Sequence, residues 1–171
     1  LQIGCSFERP LNSAAQHQAN LKMDEQEIDR LRKQITAFRG AIQDAQAAND
    51  DGLMYMMRFP SNCCDHASKF LFLWLFDLGH RNFTWVTAKV GDASHVWLEL
   101  GGIIIDITAD QFPGVTTKVV VDRSSKWHSG LEDVKRCRMG NGTETEEDFF
   151  NRTWQIDSVE YIYETIMKYL P

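Results

Sequence analysis

The sequence lacks runs of like charge, long apolar stretches and metal-ligand spacings, and each absence removes a class of function. Lysine and arginine form no cluster and the net charge is −6, which argues against nucleic acid or an anionic membrane surface as the main partner. The apolar run Phe70–Phe76 falls far short of the roughly 20 residues that cross a bilayer. Cysteines number four; Cys63 and Cys64 are neighbours while Cys5 and Cys137 lie far off, so they make no disulfide framework. Cys63, Cys64, Asp65, His66 and His80 offer no Cys-x2-Cys or His-x3-His spacing, and adjacent cysteines chelate one zinc ion only with strain. No Gly-x-Ser-x-Gly elbow is present, and Gly79, Gly91, Gly101 and Gly102 form no phosphate loop. No metal and no cofactor is therefore expected. No signal-peptide pattern opens the chain, and the sequons at Asn82, Asn141 and Asn151 mean little without a secretory route. The expected compartment is a reducing cytoplasm, with an exported effector as the alternative.

What is present is enough for one domain of α+β class. Of 171 residues 43% are hydrophobic, sufficient for a sizeable core without disulfides. Residues 1–22 show no period and read as a loosely ordered leader, ahead of a single domain over 23–171. Asp24–Ala48 is an amphipathic helix within 23–50. Asp24 and Glu27 frame a capping box, and Ile28, Leu31, Ile35, Phe38 and Ile42 recur at three-four spacing. That stripe is expected to pack on the domain, with a dimer or partner contact as the alternative. After Gly79 the pattern turns strand-like through 53–121: Phe83–Val90, Ser94–Leu100, Ile103–Thr108 and Lys118–Val121. Within 122–171, Asp122–Gly142 reads as a long surface loop, followed by helices over Glu144–Phe150 and Asp157–Leu170, the latter with an Asp157/Glu160 cap.

The stretch Phe59–Gly79 feeds cysteines into the start of a helix. Asn62 is the expected N-cap, with Asp65 three residues on. Cys63 and Cys64 then fall in the first turn, where free N–H groups and the helix dipole favour an anion such as a thiolate. Against this, buried free cysteines are common and inert. Steps of three and four from Cys64 pass through Ala67, Leu71, Trp74 and Leu78, whereas those from Cys63 end at Asp77. Cys64 is accordingly assigned to the packed face and Cys63 to the flank.

The hairpin around Gly101-Gly102 supplies the partners of a thiol nucleophile. A two-residue loop sets Leu100 opposite Ile103 and Glu99 opposite Ile104. His95, Trp97 and Glu99 then share a face with Ile104, Asp106 and Thr108, and His95 and Asp106 become diagonal neighbours. A buried strand has no use for a carboxylate such as Asp106 unless it is paired. A histidine that takes the thiol proton and an acid that fixes its tautomer are what such a nucleophile needs. The nucleophile helix is expected to cross the His95 face of the hairpin. Asp110 is the reserve acid. His66, His80 and His128 are expected at the surface or in packing, with His128 beside Trp127 only a weak candidate for lining a cleft.

These residues resemble the transglutaminase-like branch of the papain-fold cysteine enzymes. Cys64 matches the nucleophile that opens the family's central helix. His95 in SHVWLEL matches its His-Ala-Trp-x-Glu strand with Val96 in place of Ala, and Asp106 in IIIDITADQF matches the third member. Phe59–Phe112 with Lys126-Trp127-His128 is similar to small bacterial proteins carrying Cys-x-Asp-Ala-Ser, His-x-Trp-Leu-Glu and Ile-Asp-Ile-Thr-Ala-Asp-Gln-Phe. The resemblance covers about a third of the chain and leaves Cys63 as the alternative nucleophile, since Cys63 fits the family's Cys-to-Ala spacing slightly better. It implies a papain-like core whose nucleophile helix packs on an antiparallel sheet. It also implies hydrolysis of an amide or isopeptide bond in a protein or peptide through a Cys64 thioester, or transfer of the acyl group to an amine. The Cys64 N–H and Asn62 are the oxyanion candidates, with Trp97 as site support. The alternative is a non-catalytic binding module on the same fold.

Overall fold

Asp24 caps the first helix as its sequence predicts: its carboxylate accepts the Glu27 N–H and the Glu27 carboxylate accepts the Asp24 N–H, both at 2.8 Å. The computed structural model describes residues 23–139 and 159–171. The leader with Cys5, the Glu144–Phe150 helix, the Asp157 cap and the sequons at Asn141 and Asn151 lie outside the described residues.

Helix α1, Glu25–Ala47, buries Ile28, Leu31, Ile35, Phe38 and Ile42 to 2% exposure or less. The Phe38 ring stacks on Trp74 at 5.1 Å. The stripe is consumed inside the chain, which overturns its alternative as a dimer or partner surface. A 3-10 helix, Asp51–Met56, follows and leads through turns to α2, Cys64–Asp77. Helix α4, Val159–Lys168, packs on α1 and on this 3-10 segment. The approach there is so close that a Cβ at Gly52 would lie 2.0 Å from Thr165 Oγ1. Among the described residues no helix is long and apolar enough to cross a membrane.

The strands β1 (Phe83–Val90), β2 (Ala93–Leu100), β3 (Ile103–Asp106), β4 (Val120–Asp122) and β5 (Glu132–Met139) form one antiparallel sheet in the order β4-β3-β2-β1-β5. Leu100 pairs Ile103, Glu99 pairs Ile104 and Leu98 pairs Ile105 across Gly101-Gly102. This is the even register the sequence predicts. Both glycines have positive φ, 58° and 82°, as a two-residue turn matching the strand twist requires. Strand β3 is shorter than expected, because after Asp106 the chain leaves the sheet.

One face of the sheet carries Trp85, Val96, Leu98, Leu100, Ile103 and Ile105 into the main core with α1 and α2. The other carries His95, Trp97, Val86 and Ala88 beneath a segment that the sequence reading took for loop. That segment, within Asp122–Gly142, contains a helical turn α3 (Lys126–Ser129) and the edge strand β5. Its alternation is hidden because an edge strand with one solvated face carries charge where an inner strand carries valine; Arg136 of β5 pairs with Glu99 at 3.0 Å.

Candidate functional site

Helix α2 starts one residue later than the spacing implies, and this reverses the roles of the two cysteines. Asn62 is not the N-cap. It sits exposed with φ 58° and its N–H donates to Gln111 Oε1 at 3.2 Å. Cys63 holds the cap position, makes no side-chain cap bond, and turns its thiol into the core at 1% exposure. Burial, aided by the neighbouring Cys64 and opposed by Arg39, pushes the Cys63 thiol up to about 12. Cys64 is the first helical residue and is half-buried. The packed thiol is thus Cys63 and the accessible one Cys64, opposite to the helical-wheel assignment. Asp65 makes no capping box; it pairs with Lys69 at 2.7 Å. Farther along the wheel, Ala67, Leu71 and Trp74 are buried, while Leu78 is exposed.

Asp106 collects four donors at the end of β3. Its Oδ1 accepts the Thr108 N–H at 2.7 Å and the Thr108 hydroxyl at 3.1 Å, an Asx-type closure of the turn that ends the strand. Its Oδ2 faces His95 Nε2 at 2.6 Å and His128 Nε2 at 3.0 Å. All three side chains are buried, His95 completely. Burial alone would raise the Asp106 carboxyl, but the hydrogen bonds from His128 and His95 and the turn at Thr108 hold it well below the usual carboxylate range. A carboxylate only accepts. Both histidines therefore carry hydrogen on Nε2.

This fixes what the other side of the His95 ring can do. Burial would lower its pKa, yet the hydrogen bond to Asp106 and the nearby Cys64 thiol, with their charges, raise it to about 9. Its Nδ1 is buried and closes no hydrogen bond of ordinary geometry, while Cys64 lies near enough to favour the charged ring. Because α2 packs on the Val96–Leu98–Leu100 face, its amino-terminal end, and not its flank, meets the ring. The expected crossing on the His95 face is corrected accordingly.

Aromatic rings wall the imidazole. Trp97 stacks on it at 5.7 Å, and Phe112 and Trp127 meet it edge-on at 5.1 and 5.4 Å. Trp97 is thereby a wall of the site, and its buried Nε1 makes no hydrogen bond. Asp110, the reserve acid, lies elsewhere: both its oxygens bind the buried Arg39 guanidinium at 2.9 and 2.8 Å. It cannot stand in for Asp106.

From the sequence His128 is expected at the surface or in packing, or beside Trp127 in a cleft wall, and Ser125 carries no signal. His128 is in fact buried and lines a cavity. Ser125 Oγ is 2.7 Å from His128 Nδ1, and the available signal was Lys126-Trp127-His128 alone, without a spacing rule. His95, Asp106 and His128 also bring their ligand atoms within 4.8 Å of one another, a donor set of the kind that holds a metal ion. Here those atoms are already engaged with each other through two N–H donors on one oxygen, so an ion would have to displace both protons. A cavity of about 500 Å³ opens on the same sheet face, lined by Trp97, Ser125, His128 and the Glu99–Arg136 pair. Comparison with protein-family models, curated proteins and solved structures gave no match.

Proposed function

We propose that this chain is a cysteine-dependent acyl-transfer enzyme built on a papain-like, transglutaminase-like core. It hydrolyses an amide or isopeptide bond of a protein or peptide, with transfer to an amine open to the same machinery. The observation that carries the reading is a buried histidine held by Asp106 through Nε2, with its remaining nitrogen unpartnered beside the half-buried Cys64. An unmet polar group in the interior costs about 1–3 kcal/mol, and a nitrogen that faces a thiol has a use for that position.

The steps follow from the proton positions. Once the ring has released the extra proton of its charged form, His95 Nδ1 takes the Cys64 proton, and the sulfur attacks the carbonyl carbon to form a C–S bond. The oxyanion is met by the Cys64 N–H, one of the first-turn donors that a helix leaves unpaired. The Nδ1 proton passes to the leaving nitrogen as the C–N bond breaks, giving a thioester and a free amine. Water then gives a proton to Nδ1 while its oxygen attacks the thioester. The C–S bond breaks, the acid leaves, and the Nδ1 proton returns to sulfur. An amine in place of water gives transfer.

The test is an iodoacetamide-type probe at neutral pH followed by peptide mapping. Cys64 should label in preference to Cys5, Cys63 and Cys137, and Cys64→Ala should abolish labelling while leaving the circular dichroism unchanged. Equal labelling of Cys63 and Cys64, with a rate that rises only above pH ~8.5, the reference thiol value, would end the proposal.

A further inference from the structure

Nothing in the acyl-transfer scheme employs His128, yet it is buried at 5% exposure with both ring nitrogens engaged. Its ring meets Trp97 at 4.9 Å and Trp127 at 4.8 Å, edge to face in each case. It cannot turn without moving two indoles. Asp106 is pinned at Oδ1 by Thr108, and without His128 its Oδ2 would meet His95 alone. A carboxylate anchored at one oxygen can swing the other out of line with the ring it orients.

We propose that His128 is a positioning residue: it donates Nε2–H to Asp106 Oδ2, locks the carboxylate in line with His95 Nε2, and so keeps His95 Nδ1 facing Cys64. Ser125 completes the arrangement. With hydrogen on Nε2, a neutral His128 presents a bare Nδ1, and the Ser125 hydroxyl 2.7 Å away donates to it and selects that tautomer. The chain runs Ser125, His128, Asp106, His95, Cys64: its three inner members are buried and its two ends, Ser125 and Cys64, are half-buried. This inference rests on the acyl-transfer reading. The titratable groups facing His95 are Cys64 from α2, Asp106 from β3 and, beyond Asp106, His128 from α3; the charged pair Glu99–Arg136 on the same face is closed on itself.

The alkylation rate of Cys64 against pH reports the arrangement without a known substrate. In His128→Leu the rate at pH 7 should fall about tenfold or more, the scale of one hydrogen bond to a charged group, and the pH midpoint should rise by about one pH unit. His128→Gln, which keeps an N–H donor, should recover most of the rate, and Ser125→Ala should lose less than His128→Leu. A merely structural role would lower thermal stability but leave the midpoint in place. A folded His128→Leu protein with the wild-type rate and midpoint overturns the inference. Nitrogen-15 NMR of the unaltered chain gives a second reading should that variant fail to fold: His128 should carry its proton on Nε2, and an Nδ1–H tautomer overturns the inference while leaving Cys64 reactivity untouched. A wild-type Cys64 no more reactive than a free thiol ends the acyl-transfer reading, and this one with it.

Discussion

Two carboxylates four residues apart, Asp106 fully buried and Asp110 partly so, show how the same side chain closes on a fixed cation in one place and on two imidazoles in another. Asp110 closes on Arg39, whose guanidinium also donates to the Lys118 carbonyl at 2.7 Å and lies over the Phe59 ring. Arginine never gives up its proton, and its bonds to Asp110 and to the carbonyls of Ile107 and Lys118 tie α1 to the chain after β3. Asp106 faces two imidazoles, groups that can gain or lose a proton, and one of them keeps an unpartnered nitrogen. A closed ion pair with every oxygen engaged holds parts together. A set with a mobile proton and one open position can react.

The comparison breaks most sharply with Asp106→Asn against Asp110→Asn. In Asp106→Asn the amide oxygen can serve Thr108 or the histidines, not both, and its NH2 group confronts Nε2–H donors. His95 must then shift its hydrogen to Nδ1, which removes the base from the thiol. Turnover should drop by up to ~10⁴, by analogy with the serine triad, with the fold retained. Asp110→Asn leaves the Arg39 charge buried without its counter-charge and should cost of the order of 3 kcal/mol of stability. Cys64 labelling in the protein that remains folded should persist. Measuring labelling and urea unfolding on both variants separates the effects, and an Asp110 variant that loses labelling while stable would erase the distinction.

How much of this the sequence carried differs from element to element. The Asp24 cap, the α1 stripe and the hairpin register were all legible, because each depends on residues close in sequence and on a strict period. From the register alone, Asp106 could be set beside His95. The helix start was missed by one residue: Asn62 has the side chain of a cap, but its left-handed backbone is set by the loop, which no local pattern reveals. That single residue exchanged the burial of Cys63 and Cys64. His128 reaches Asp106 from 22 residues away through a segment with no apolar period, so nothing local signals it. Asp110 looked equivalent to Asp106 until Arg39, far earlier in the chain, claimed it.

A smaller effect follows from protonation. The folded pKa of His95 is raised from 6.5 to about 9, so its contribution to stability is fully present below 6.5 and is lost as pH rises through about 9. Asp106 is depressed, so its contribution holds above 3.8 and is lost only in acid, as pH falls through its folded value. Cys63, kept neutral by burial, adds a loss only above its ordinary 9.0. The window from 6.5 to 9 therefore belongs to His95. Urea unfolding across that window should show stability declining in the wild type. In Asp106→Asn the decline should vanish, because no carboxylate holds the imidazolium; a flat wild-type profile would contradict the raised pKa.

The smallest effect is expected at Cys63, and it tests the division of labour between the neighbouring thiols. Cys63 is buried at 1% exposure within the main core, so its sulfur acts there as a small apolar group. Removing it in Cys63→Ala leaves a cavity about the size of one heavy atom, a cost of about 1 kcal/mol. Cys64 sits at the helix start with its own N–H and its own approach to His95, none of which passes through the Cys63 side chain. Labelling of Cys64 at pH 7 should therefore be unchanged in rate in Cys63→Ala, while the unfolding midpoint moves slightly down. If Cys63→Ala instead abolished labelling with the fold intact, the nucleophile would be the buried cysteine. The open nitrogen of His95 would then need another explanation.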